Sequence, residues 1–289
     1  TLFTPYKNAW IKKIAELHVK PIQNLLEDPL HEPLPARLQT GLPARLQTVL
    51  PARLQTGLPA RFAEFSFPFP SLTGIGFKRS SLKVRDYNID NLDNYDKDRN
   101  YPALDGTSHF SVHLRFGTVG IRSIMSHIQH NESFLNELIW REFFMQVLYH
   151  FPGVVGSNFR KKFDSITWRN DPADFGRWQH GETGHLLVDA GMRELNTIGY
   201  MHNRVRMVVA DYLCKHLLID WRWGEAYFAT KMLDYELSSN NGNWQWAAGT
   251  GCDATPYFRK FNPTLQLSKF DPQMNYVKQW IPEVRLLKE

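Results

Sequence analysis

The sequence predicts an all-α fold, on three observations. From Phe110 onward apolar residues recur mostly at helical spacing, and strand-like alternation is almost absent. Between Leu195 and Gly251 two helical patterns flank a Trp-rich turn, and the second ends in a run of Asn, Gly and Trp. With 43% hydrophobic residues among 289, the chain can bury a substantial core in one large domain or two small ones.

In chain order, residues 1–26 carry a short helical pattern of Trp10, Ile11, Ile14 and Leu17 with Lys between. Then LPARLQTG, LPARLQTV, LPARLQTG and the partial LPARF repeat with a period of eight over residues 34–62. Pro35, Pro43, Pro51 and Pro59 recur too often for a continuous helix, and the unit is too short for a stacking solenoid. Residues 27–72 are therefore expected to be a linker, poorly ordered or in short turns, without chemistry of its own. A helical body is expected over residues 73–289. Its first part is charged and polar, and helices follow at 112–130, 131–150 and 189–199.

In the first of the two helical patterns, Val205, Val208, Val209, Tyr212, Leu213, His216 and Leu217 form one packed face. Asn203, Arg206, Met207 and Ala210 fall on another side. In the second pattern Ala226, Ala229, Leu233 and Leu237 make an apolar stripe. Asp234 and Glu236 lie near its end, where the helix dipole disfavours carboxylates unless a cation or ligand compensates. SSNNG, which contains Asn240, suits a helix C-cap.

No run of eighteen apolar residues occurs, and TLFTPYKNAW lacks the layout of a secretory signal. Cys214 and Cys252 are the only cysteines, which argues for a reducing compartment. A cytoplasmic monomer with no membrane segment is expected, and the sequon Asn131-Glu132-Ser133 would go unused. A net charge of +5 favours anionic partners mildly, because the basic residues are spread along the chain. Several of the nine Trp flank Gly, Asn or Arg, so packing alone does not account for all of them.

Three groups of residues point to chemistry. Thr107, Ser108 and Ser111 stand at a helix start, where hydroxyls and free N–H groups can hold an anion, although ordinary capping needs only one of them. Glu137, Trp140, Arg141 and Phe144 share one helix face. Without a ligand that face would be a Glu137–Arg141 surface pair beside a half-buried indole, worth a few tenths of a kcal/mol. Asn203, Arg206, Asp234, Glu236 and Asn240 form the third group. A buried Arg206–Asp234 pair there is better motivated by cofactor tuning than by stability. His109 and His113 have zinc-like spacing without a third ligand, so no metal is expected. Gly74-Ile75-Gly76 lacks the third glycine of a dinucleotide fingerprint, and neither a nucleophile elbow nor a Walker loop occurs.

Several of these stretches resemble the photolyase/cryptochrome family: TSHFS, ELIWREFF, MHNRVRM, IDWRWGEAYF, and DYELSSNNGNWQWAAGTG followed by DATPYFRKFNP. The resemblance extends from Tyr95 to Pro282, and TPYKNAW is similar to the family's interdomain connection. It implies the multi-helical FAD-binding domain of a class I-like cyclobutane pyrimidine dimer photolyase. The N-terminal α/β antenna domain is not expected in this chain, and the C-terminal part is expected to be shortened.

By that resemblance Thr107, Ser108, His109, Phe110 and Ser111 form the flavin-phosphate loop, with His109 where many relatives carry Arg. Tyr95, Arg141, Asn203, Arg206, Asp234, Tyr235, Glu236 and Asn240 contact the flavin, Asn240 facing its reactive ring nitrogen. Trp140 stacks on the damaged bases and Glu137 hydrogen-bonds or protonates them, while Asn203, Met207 and Trp246 complete the catalytic pocket. Met207 in place of a proton-transferring His favours cyclobutane dimers over the other major ultraviolet photoproduct. Trp178, Trp221 and Trp244 correspond to a chain of indoles that reaches the surface. Arg99 and Arg204, with Glu137, Trp140, Arg141 and Asn203, contact DNA, positioning a duplex whose damaged pair leaves the stack. The implied function is light-driven repair of DNA by excited reduced FAD. The alternatives are a cryptochrome-like blue-light receptor without repair activity and a flavin-free DNA-binding remnant.

Overall fold

A computed structural model describes residues 2–17, 70–88, 92, 94–128, 131–254 and 256–288. The octapeptide repeat, and the expected linker up to residue 69, lie outside the described residues. The chain divides into two units, one of residues 1–21 and 82–289 and the other of residues 22–81. Of the second, residues 70–81 hold a turn in which the Gly74 N–H donates to Ser71 Oγ and the Phe77 N–H to the Leu72 carbonyl. In the first unit every regular element among the described residues is helical.

Helix α1 (Phe3–Leu17) packs through Phe3, Tyr6 and Trp10, while Ile11 and Leu17, expected on its apolar side, are exposed. The rings bury more apolar area than the aliphatic residues could, and so they choose the packed face. After the single turn α2 (Tyr95–Asp98), the helix expected over 112–130 is two helices, α3 (Phe110–Phe116) and α4 (Ile121–His127). Gly117 stops α3 in a left-handed conformation at φ 69, its N–H donating to the His113 carbonyl. Helix α5 (Glu132–His150) is capped by Asn131, whose Oδ1 accepts from the Phe134 N–H while its amide donates to Leu92. The sequon asparagine is thus held at both ends of its side chain.

The main core gathers α6 (Pro172–His180), α7 (Leu186–Ile198), α8 (Asn203–Asp211), α9 (Trp221–Lys231), α10 (Leu237–Ala248) and α12 (Asn275–Trp280), with α11 (Pro263–Phe270) packed on α7. Helix α7 starts at Leu186 rather than at Asp189, and Gly199 closes it. Val205, Val208, Val209, Tyr212 and Leu213 are buried as their spacing predicts. His216 is not: a π turn over Tyr212–His216 rotates it out to solvent, where its ring meets the Phe261 carbonyl.

Three expectations about the second pattern are overturned. Helix α9 ends at Lys231 and buries Trp221, Gly224 and Phe228, leaving Ala226 exposed. Gly224 selects that face, because a Cβ there would stand 2.2 Å from the Trp244 ring. Asp234 and Glu236 therefore lie in the connection to α10 rather than at the end of a helix. Glu236 is the N-cap of α10, accepting from the Ser238 and Ser239 N–H groups at 2.9 Å, and the dipole favours its charge. SSNNG consequently sits in the first turns of α10 and not at a C-cap. No helix among the described residues is long and apolar enough to cross a membrane.

Candidate functional site

The start of α8, the first turns of α10, α5 and α3 converge on two adjoining cavities. The inner one has a cavity volume of about 200 Å³ and the outer one of about 270 Å³. Arg141, Asn203, Met207, Ser239, Asn243 and Trp246 line both, so one wall separates them. Ser111, Arg206, Asp234, Glu236 and Asn240 belong to the inner cavity alone. Arg99, Glu137, Trp140 and Phe144 belong to the outer one alone.

Polar anchors shape the inner cavity. Arg206 Nη2 lies 2.9 Å from Asp234 Oδ2, and its Nε donates to the Met201 carbonyl at 2.6 Å. Burial works against the Arg206 cation, but the Asp234 carboxylate more than offsets it and holds the guanidinium above its ordinary pKa. Asp234 Oδ1 is buried without a hydrogen-bond partner among the described residues, an acceptor that a bound donor would satisfy. Asn240 donates through Nδ2 to the Glu225 carbonyl (3.2 Å) and to Glu225 Oε1 (3.0 Å), which leaves its Oδ1 as the acceptor. Glu225 also receives the Tyr235 hydroxyl at 3.2 Å, and burial followed by that carboxylate pushes Tyr235 up to about 12. Sequence reasoning missed Glu225. It stands within IDWRWGEAYF, but nothing in its spacing marks it as the residue that orients Asn240. Burial opposes the charge of Glu236, yet the donors on Ser238 and Ser239 outweigh it and lower its pKa.

The outer cavity sets three aromatic residues, Trp140, Phe144 and Trp246, among polar ones, Arg99, Glu137, Arg141, Asn203, Ser239 and Asn243. Trp140 stacks on Phe3 at 3.5 Å between centroids, with Phe144 at 5.5 Å and the edge of Phe143 at 5.6 Å. The expected Glu137–Arg141 pair is not formed. Glu137 Oε1 instead accepts from Arg99 Nη2 at 2.6 Å, and the Arg99 guanidinium lies 5.1 Å from the Tyr95 ring centre. A pair across 38 residues was not legible as a helix spacing.

Other expected residues are placed away from these walls. Tyr95 and Phe110 are buried in a separate cluster with Ile124 and Phe134. Of the TSHFS loop only Ser111 lines the inner cavity. His109 holds φ 55 and pairs with Asp105 Oδ1, while His113 meets Thr118 and the Arg85 carbonyl, so the two imidazoles do not converge. Thr107 hydrogen-bonds the Tyr200 side chain, and Ser108 is buried. No side chain caps α3, so its first N–H groups remain available to an anion. Tyr235 is set back from the cavity by its bond to Glu225. Arg204 is half-buried against Asn100 and the Phe270 ring (4.4 Å). The indole row also departs from expectation, because Trp178, Trp221 and Trp244 are each at most 2% exposed and none reaches solvent. Trp178 lies 6.2 Å from Trp244, inside the same core. Trp168, Trp223, Trp246 and Trp280 are the partly exposed indoles packed on that core.

The inner donor set suits a flavin nucleotide: a fixed amide acceptor, a guanidinium–carboxylate pair with one free oxygen, and apolar walls from Met207, Phe228 and Trp246. Comparison with known proteins gives the same assignment. Residues 134–289 match the family model described as the FAD binding domain of DNA photolyase. A deoxyribodipyrimidine photo-lyase of Halobacterium salinarum is 42% identical over 244 residues, covering 75% of this chain and 51% of the relative. Among solved structures, a bacterial class III photolyase from Agrobacterium tumefaciens superposes with a TM-score of 0.66 at 44% identity, over 68% of this chain and 43% of that one. The cryptochrome of Synechocystis reaches 0.67 at 32% identity, over 77% and 52%. The chain spans about half the length of the curated relatives it matches. It belongs to the FAD-binding-domain family of the DNA photolyases, whose cofactor is FAD.

Proposed function

We propose that this chain holds reduced FAD in the inner cavity and a flipped cyclobutane pyrimidine dimer in the outer one, and that light splits the dimer. When bound, FAD supplies the electron that opens the cyclobutane ring and takes it back afterwards. The observation that carries this reading is the shared wall: Arg141, Asn203, Met207, Ser239, Asn243 and Trp246 border both spaces, so a donor in one and a lesion in the other would lie side by side.

The residues divide the work. Arg206 and Asp234 fix the flavin ring, Asp234 Oδ1 taking a ring or ribose donor. Asn240, oriented by Glu225, presents an acceptor to the ring nitrogen. Trp140, Trp246 and Met207 offer the lesion apolar contact within a lining that is otherwise polar. Glu137, paired with Arg99, serves as an acceptor for base N–H groups and not as a proton donor. Arg141 and Asn203, on the common wall, contact flavin and lesion together. Trp178 and Trp244, 6.2 Å apart, and Trp221 lie in one core, where they would pass electrons toward the flavin. We read the protein as a cytoplasmic monomer acting on damaged DNA. Its two thiols are free and buried, and burial pushes Cys252 up to about 11.

Blue-light irradiation of a dimer-containing oligonucleotide with the flavin-loaded chain tests this. Splitting in the light and none in the dark is expected, with Trp140→Ala weakening lesion binding. A flavin-loaded protein that binds no lesion and splits none would instead fit the blue-light receptor.

A further inference from the structure

We propose that Phe3, on the N-terminal helix, is a positioning residue that fixes the ring plane of Trp140 and thereby the stacking surface of the outer cavity. Phe3 and Trp140 are separated by 137 positions in the sequence, yet their rings lie 3.5 Å apart and within 3° of parallel. Phe3 is only 8% exposed and takes no part in lining the outer cavity, whereas Trp140 lines it. Phe144, which does line the cavity, also stacks on Trp140, at 5.5 Å and 29°, so the indole is held by two rings and offers the cavity the part they leave uncovered. Two bare rings prefer an offset or edge-on arrangement, so a parallel stack at this distance is imposed by its surroundings. Those surroundings are visible. The Phe3 N–H donates to Asp253 Oδ2 at 3.1 Å, and the edge of Phe143 closes on Phe3 at 5.7 Å and on Trp140 at 5.6 Å. Further along α1, Tyr6 packs on Phe143 at 5.2 Å and Lys7 pairs with Glu132 at 2.9 Å, which docks α1 along α5.

An indole held by packed rings has few orientations left, and a ligand that packs against it orders little more on binding. Removing the backing ring without disturbing the docked helix should let Trp140 turn. The lesion-binding part of this inference rests on the function proposed above; the ring-holding part does not.

The experiment uses the flavin-loaded chain with 5-fluorotryptophan in place of Trp, the Trp140 fluorine line being assigned by its loss in Trp140→Phe. Phe3→Leu keeps an apolar side chain at the site and removes the ring. Ile11→Ala alters an exposed position on the same helix and leaves the packed rings in place. A Trp140 line that shifts or broadens in Phe3→Leu and stays in place in Ile11→Ala is the expected result. Phe3→Leu should also lower affinity for a dimer-containing oligonucleotide by up to about tenfold, with affinity for undamaged DNA and the flavin spectrum unchanged. An unchanged Trp140 line in Phe3→Leu, or an equal change in Ile11→Ala, would overturn the proposal. Should the parent chain show no preference for dimer-containing DNA, the proposed function falls, while the fluorine line still decides whether Phe3 holds the ring.

Discussion

The inner and outer cavities share six residues yet are built by different physics. The inner one is held by directed polar bonds: Arg206 to Asp234, Asn240 to Glu225, and Glu236 to the N-terminus of α10. The outer one is held by ring packing among Phe3, Trp140, Phe143 and Phe144, with a single partly exposed ion pair at its rim. Directed bonds fix a particular hydrogen-bonding pattern, as a resident nucleotide requires. Packed rings present a flat, forgiving surface, as suits a ligand that comes and goes. Substitutions should therefore differ in kind: electrostatic and tied to flavin in the inner cavity, steric and tied to lesion affinity in the outer.

The largest effect is expected at the inner pair. Arg206→Ala leaves the Asp234 carboxylate, 4% exposed, without its partner, and should cost about 3 kcal/mol in the urea midpoint along with flavin retention. A loss below about 1 kcal/mol would erase the distinction between the cavities.

Gly242→Ala probes the ring packing. A Cβ at that position would stand 2.1 Å from the Phe144 ring, so the variant should lose about 2 kcal/mol and weaken lesion binding before flavin binding.

The support beneath the inner cavity should also respond to pH. Glu194 is 5% exposed and accepts from the Tyr276 hydroxyl at 2.5 Å and from the His202 N–H at 3.2 Å. Burial raises its pKa to about 7, against the smaller lowering by those hydrogen bonds. The carboxyl is thus protonated in the folded chain at a pH where the unfolded chain has already lost the proton. Its contribution is fully present below about 4.5 and is lost as pH rises toward about 7. Glu194→Gln should remove that decline, which is on the order of 1–2 kcal/mol, as read from urea midpoints across the window.

The smallest effect should come from the rim. Arg99→Ala breaks a pair whose side chains are 24% and 35% exposed, and should change stability by less than about 1 kcal/mol, falling further at high salt.

The difference between the cavities also explains what could be read in advance. The buried face of α8 follows from spacing alone, because Val205, Val208 and Val209 repeat at the helical period. The Arg206–Asp234 pair, 28 positions apart, was legible only through the likeness of MHNRVRM and DYELSSNNGNWQWAAGTG to the family's motifs and not through spacing. The faces of α1 and α9 were misread. In both, a large ring or a bare glycine outweighs the aliphatic pattern, and the partner ring comes from far along the chain. Gly224 can be recognised as a contact surface only once Trp244 is seen against it. The split between α3 and α4 turns on one left-handed glycine inside a pattern that otherwise continues. The TSHFS residues were placed as a group from motif likeness, although only Ser111 reaches the cavity. Phe3 against Trp140 and Arg99 against Glu137 are long-range contacts with no local signature.

The central claim is that the inner cavity is a flavin site, and its most direct test is the visible spectrum of the folded chain after reconstitution with FAD and gel filtration. The account predicts a protein fraction carrying bound-flavin bands in the parent chain and losing them in Arg206→Ala. A chain that melts cooperatively with full helical content, yet elutes colourless, would contradict it.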